Sequence, residues 1–291
     1  MLDMPATMGS FCNPTELPSR GLKILLAEDS LTQRKELAEI LRRKGCKVLL
    51  ATSGKGAVTT ISRPNQQISI ALMDIKMPGR IDGIEAASQI QREHPETEII
   101  FLTAFANDSE YRNRVEKSEM RVNDWVSKPV TGKNKKRLFD GIDRSLQKIF
   151  FRRKLVNYLN GNTNSMAIRF LLEQANGSYG SSFLREIIRD IKQIFQIEYD
   201  SLKDVLPYIN FFSYQDRKRE FEKNFPGEFL AFLDGDMVEN CSTRKELIKK
   251  VYNRFGRTDI FIVEVGKQDK VIRFRRPMRA IQSPHDGAKQ L

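Results

Sequence analysis

Ile68-Ser-Ile-Ala-Leu-Met-Asp-Ile-Lys-Met-Pro78 is a short apolar run closed by an aspartate and, four residues later, a proline. A run of this length, rich in branched apolar residues and flanked by polar segments, reads as a strand buried on both faces. The same rhythm recurs on either side. Upstream, Leu22–Ala27 predicts a strand, Leu31–Lys44 a helix with Leu37, Ile40 and Leu41 on one face and Gly45 at its end, Lys47–Ala51 a second strand and Gly54–Ser62 a weaker helix. Downstream come a helix from Gly83 to about His94, a strand Glu98–Thr103, a polar helix Ser109–Lys117, a strand Val122–Ser127 and a helix starting near Lys133. Five strands alternating with helices predict a doubly wound α/β unit with a parallel sheet covered on both faces. In such a sheet the functional loops gather at the carboxyl ends of the strands.

The polar residues at those ends share one chemistry. Glu28 and Asp29 follow the first strand, Asp74 the third, Thr103 ends the fourth, and Lys128-Pro129 follow the fifth. Three converging carboxylates suit a hard, oxygen-seeking cation such as Mg2+. An aspartate can act as nucleophile to form an acyl phosphate. A lysine and a metal offset charge on a moving phosphoryl group. A hydroxyl such as that of Thr103 can hydrogen-bond a phosphoryl oxygen, and Ala104 beside it leaves room for a donor.

The runs Ile24–Ser30, Met73–Pro78, Asp82–Glu85, Phe101–Ala104 and Ser127–Pro129, in this order and at these separations, resemble the receiver domains of response regulators. The resemblance covers about residues 21–147. It implies a flavodoxin-like, chemotaxis-regulator-like fold with a five-stranded parallel sheet. It implies that Asp74 accepts phosphate from a histidine kinase or histidine phosphotransfer protein. Mg2+ would be held by Asp29, Asp74 and the backbone carbonyl of Lys76, with Glu28 acting through water. Lys128 would pair with the phosphoryl group, and Thr103 and Trp125 would form the switch. It implies no enzyme activity beyond self-catalysed phosphotransfer and dephosphorylation. Three residues, Gly79-Arg80-Ile81, separate Pro78 from Asp82, one more than the commonest pattern. Trp125 stands where Tyr or Phe is usual, and Met120-Arg121-Val122 replaces small residues before the fifth strand.

Beyond the receiver, Leu138, Ile142, Leu146, Ile149 and Phe150 keep helical spacing toward Leu155 and Leu159, so the last receiver helix is expected to run on. Gly161–Ser165 breaks it. Met166–Gln174 predicts a helix, Asn176–Ser182 a loop, and Phe183 to about Leu206 a further helix. After Pro226-Gly227 the pattern turns to strands. Glu228–Leu233 and Asp236–Asn240 flank Asp234-Gly235 as a hairpin, Thr243 with Glu246 opens a helix to about Phe255, and Ile260–Val265 and Val271–Arg275 are strands. The expected organisation is a flexible tail over 1–20, a receiver over 21–148, a helical region over 149–222, a small α+β output domain over 223–280 and a tail over 281–291. The last module is weakly similar to a small uncharacterised prokaryotic family, which carries no settled activity.

Composition narrows the classes further. Of 291 residues, 40% are hydrophobic and 30% charged, a globular balance. No apolar run is long enough to span a bilayer. Met1–Arg20 has no basic and apolar leader pattern, and three scattered cysteines fit a reducing cytoplasm. Only two histidines, His94 and His285, are present, which argues against histidine-based metal sites or triads. The net charge of +12 is shared between both halves of the chain. Two outputs are consistent with this: a protein-interaction adaptor, and a DNA-binding regulator using Arg273, Arg275, Arg276 and Arg279. No DNA-reading motif is recognisable, which favours the adaptor. A homodimer formed through the receiver or the linker helix is a further expected partner, and a membrane is not. No catalytic constellation occurs in residues 150–291.

Overall fold

A computed structural model describes residues 22–64, 66–104, 106, 108–161, 165–197, 202, 204–256, 260–267 and 272–273. The expected tails at 1–20 and 281–291 lie outside these residues, as do Cys12, Arg275, Arg276 and Arg279. The chain divides into two compact units between Arg153 and Lys154.

The first unit contains β1 (Lys23–Ala27), α1 (Leu31–Arg43), β2 (Lys47–Ala51), α2 (Gly54–Ile61), β3 (Ile70–Met73), α3 (Gly83–Glu93), β4 (Glu98–Thr103), α4 (Ser109–Lys117), β5 (Val122–Ser127) and most of α5 (Gly132–Leu159). The strands form one parallel sheet in the order β2-β1-β3-β4-β5. Alternate residues feed two cores. Leu25, Ala27, Ala71, Met73, Phe101 and Trp125 share one with the helices on their side. Ile24, Leu26, Ile70, Leu72, Ile100, Leu102 and Val126 pack on the other face, with Leu37 and Leu41 of α1 and Leu138 and Ile142 of α5. Burial on both faces is why these strands are continuous rather than alternating in sequence.

Helix α5 runs on without a break to Leu159, as its spacing predicts. Its later turns add a buried ion pair. Arg152 Nη1 lies 2.5 Å from Glu98 Oε1, with the two side chains only 3% and 6% exposed. Glu98 opens β4, so this pair ties the helix to the end of the sheet remote from the candidate site. Removing one partner strands a charge in the interior. Arg152→Met is expected to lower stability by about 3 kcal/mol. Chemical denaturation followed by the emission of Trp125, the single tryptophan, would measure it, and an unchanged midpoint would refute it.

The second unit contains α6 (Ser165–Phe195), α7 (Leu206–Asp216), α8 (Lys218–Asn224), β6 (Phe229–Leu233), β7 (Asp236–Cys241), α9 (Arg244–Phe255), β8 (Phe261–Glu264) and β9 (Ile272–Arg273). The expected loop at Asn176–Ser182 is mostly helical. The helix breaks only at Gly180 (φ 77°), where Asp216 Oδ2 accepts a hydrogen bond from Ser181 N at 2.8 Å and caps the turn that follows. The helix expected to reach Leu206 stops at Phe195, and α7 begins at Leu206 with a proline in its first turn.

The strands form an antiparallel sheet in the order β7-β6-β8-β9. Leu230, Phe232, Phe261 and Val263 pack against Tyr214 of α7 and Phe221 of α8. Ala231, Ile260 and Ile262 pack against Leu247 and Val251 of α9. The hairpin turn uses positive φ at Asp234 (55°) and Gly235 (88°), as the Asp-Gly pair predicts. Lys192 Nζ holds Asp234 Oδ2 at 2.7 Å, and Asn210 Oδ1 accepts from Gly235 N at 2.6 Å.

Candidate functional site

The parallel ladder extends just past the strands and fixes where the polar residues stand. Glu28 N donates to Ala51 O at 3.1 Å, Asp74 N to Ala27 O at 2.9 Å, and Lys128 N to Thr103 O at 3.0 Å. The carboxyl ends of β1, β3 and β5 therefore deliver Glu28, Asp74 and Lys128 to one place. Potential ligand oxygens of Glu28, Asp29 and Asp74 all lie within 4.8 Å of one another.

Lys128 sits among them. Its Nζ donates to Asp74 Oδ2 at 2.7 Å and lies 2.6 Å from Glu28 Oε2. The Glu28 contact closes its buried oxygen against the same ammonium. Glu28 is almost fully buried, Asp74 mostly so, and Asp29 exposed. Burial pushes the Asp74 carboxyl above the usual aspartate value, against the pull of Lys128 and with help from Asp29. Burial likewise raises Glu28, again opposed by Lys128. Three carboxylates facing one ammonium leave a deficit of positive charge. The surplus negative charge and the all-oxygen donor set fit a divalent cation such as Mg2+, and a triad of this kind is typical of a receiver Mg2+ site.

Backbone contacts hold the loops that carry these groups. Arg34 Nη1 donates to the carbonyls of Glu28 (2.7 Å) and Asp29 (2.9 Å). Asp82 caps α3 by accepting from Ile84 N and Glu85 N, and Glu85 Oε2 accepts from Asp82 N in return. Gly83 N donates to Ile75 O at 2.9 Å. That close approach needs a glycine: a β-carbon at residue 83 would stand 1.8 Å from the Asp74 carbonyl oxygen.

Thr103 is fully buried at the end of β4. Trp125 is also buried, with its ring centroid 4.8 Å from that of Phe101. Lys76 is exposed beside an open cleft of about 370 Å³ that is also lined by Asp29, Pro78, Tyr111 and Arg114. Arg114 pairs with Asp82 across this cleft at 2.6 Å. Sequence reasoning missed Arg34, Arg114 and Arg112, the last of which covers Trp125. Each reaches its partner through a long side chain, which spacing does not reveal.

Arg273 lies in β9, whose backbone alone is described, and the other three arginines of that cluster are outside the described residues. Cys46 and Cys241 are free and buried. No helix among the described residues is long and apolar enough to cross a membrane.

Comparison with known proteins agrees with this geometry. The family model of the response regulator receiver domain matches residues 24–143. A cyclic di-GMP phosphodiesterase of Thermotoga maritima is 23% identical over 251 residues, covering 86% of this chain and 59% of that protein. The transcriptional regulatory protein PdtaR of Mycobacterium tuberculosis is 37% identical over 84 residues, 29% of this chain and 40% of that protein. The chain thus spans less than two thirds of the length of either relative. Among solved structures, the N-terminal domain of a response regulator/sensory box/GGDEF 3-domain protein from Carboxydothermus hydrogenoformans is 30% identical. The match covers 43% of this chain and 94% of that domain, with a TM-score of 0.38. Fold, acidic triad and family match agree that residues 24–143 are a response regulator receiver domain, the receiving module of two-component signalling.

Proposed function

We propose that the chain is a phosphorylation-controlled switch in which Asp74 takes the phosphoryl group. The observation that carries this is the pairing of Asp74 with Lys128 beside two further carboxylates. Receiver domains work with histidine kinases or phosphotransfer proteins, and we assign this chain a donor of that class. A carboxylate oxygen of Asp74 forms the new P–O bond as the donor's P–N bond breaks, and the electron pair stays on the donor nitrogen. Lys128 turns from the carboxylate pair to the incoming phosphoryl oxygens. Thr103 closes on the same group with its hydroxyl, and Trp125 follows as the reporter of that movement. Asp29, Asp74 and the Lys76 carbonyl would hold Mg2+, with Glu28 acting through water; the bound ion supplies charge compensation on the transferring group.

Output is assigned to the region beyond about residue 148, as protein–protein interaction controlled by the receiver. Enzyme activity beyond self-catalysed phosphotransfer and dephosphorylation is not part of this proposal. A nucleic-acid output is the second reading. It is favoured by the exposed cations Lys245, Lys249, Lys250 and Arg254 along α9.

A melting experiment with and without Mg2+ tests the metal-binding part. The negative pocket relaxes when a cation binds, so saturating Mg2+ should raise the melting temperature of the receiver by about 3–8 °C. Asp29→Asn removes an exposed ligand without disturbing the core and should abolish most of that rise. An equal rise in wild type and variant would locate the ion elsewhere.

A further inference from the structure

One guanidinium joins three elements near the candidate site. Arg112, in the first half of α4, sends Nε and Nη2 to the same acceptor, the carbonyl oxygen of Ala106, at 2.9 and 2.7 Å. Ala106 is buried and lies three residues beyond Thr103. The Arg112 Cζ stands 4.1 Å from the ring centroid of Trp125 on β5. Phe101 also packs on that indole, so the ring has protein on more than one side. The nearby carboxylate of Asp124 is taken by Arg137, whose Nη2 is 2.7 Å from Oδ1 and whose Nε is 3.2 Å from both oxygens. Arg112 is thus directed to the carbonyl and the ring.

We propose that Arg112 is a positioning residue that fastens the segment after Thr103 and the Trp125 ring in one resting arrangement, which phosphoryl uptake must release. The proposal rests on Asp74 being the phosphoacceptor. Both hydrogen bonds end on one oxygen, so a displacement of Ala106 weakens both together. If Thr103 moves toward a phosphoryl group on Asp74, the chain three residues on moves with it. The guanidinium then either follows the carbonyl and leaves the indole, or keeps the indole and loses the carbonyl. Either path links the site to Trp125 and to α4, which carries Arg112. A residue that favours the resting arrangement reduces the population able to react, so its removal speeds uptake.

The test uses the full chain with phosphoramidate and Mg2+, following acid-labile phosphate and Trp125 emission in wild type, Arg112→Gln and Arg112→Lys. Arg112→Gln should label about three- to tenfold faster than wild type. Its emission should already be shifted before labelling and change little afterwards. Lysine keeps a cation that can reach the ring but loses the planar fork, so Arg112→Lys should label faster than wild type and slower than Arg112→Gln. It also carries the test if the glutamine variant fails to fold. A purely structural role would alter melting but leave the rate and the emission change alone. Labelling at or below the wild-type rate, with the wild-type emission change, overturns the proposal and leaves Asp74 as acceptor untouched. A wild type that takes no label overturns the acceptor reading itself, and this proposal with it.

Discussion

Asp74→Asn is expected to reduce phosphate uptake from phosphoramidate or acetyl phosphate to background while the receiver stays folded. The amide has almost the shape of the carboxylate but lacks the anionic oxygen that must attack phosphorus. Asp29 and Glu28 remain nearby, yet Glu28 is buried against Lys128 and Asp29 lies at the exposed margin. Undiminished labelling of the variant would move the acceptor to another residue and end the proposed role of Asp74.

The same substitution should stabilise the protein at neutral pH. In the folded state the Asp74 carboxyl is raised above its ordinary 3.8, chiefly by burial. A raised carboxyl binds its proton more tightly in the folded than in the unfolded state, so stability falls as pH rises from about 3.8 through the folded value. Glu28 acts in the same direction, from its ordinary 4.5. Above that window the folded chain carries the cost of buried negative charge, and asparagine at 74 removes part of it. Melting curves at pH 4 and pH 7 should therefore separate variant from wild type more at the higher pH.

Gly83→Ala should be among the most damaging single substitutions in the receiver. The added methyl would stand 1.8 Å from Asp74 O and 2.9 Å from Ile75 Cα, both backbone atoms with no side-chain freedom to yield. Relief requires moving α3 away from the loop that carries Asp74, which breaks the 2.9 Å hydrogen bond from Gly83 N to Ile75 O and disturbs the Asp82 cap. A loss of about 3–5 kcal/mol is expected. Thermal melts followed by Trp125 emission would measure it. A melting temperature within about 2 °C of wild type would mean the close approach is absent in solution.

The receiver half was legible because both its fold and its chemistry are written locally. Strands buried on two faces appear as unbroken apolar runs such as Ile70–Met73, and the parallel topology brings the residues that follow them to one end. The second half was read less well. The glycine- and serine-rich run from Asn176 stays helical as far as Tyr179, because the break is set at Gly180 and capped by Asp216, 35 residues from Ser181. Helix α7 escaped notice because its one buried face, Leu206, Ile209, Asn210, Ser213 and Tyr214, includes polar residues while Phe211 and Phe212 lie off it, which blurs an amphipathic period. The buried Arg152–Glu98 pair spans 54 positions, and the Arg112 bridge depends on where one long side chain bends. Neither has a sequence signature.

The small antiparallel sheet already has helical neighbours above and below: α7 and α8 against Leu230 and Phe232, α9 against Ala231 and Ile262. Among the described residues it has no bare palm to lay on another molecule. Among the described residues, the approaches left on this sheet are the outer sides of its helices, the turn tips and its two margin strands.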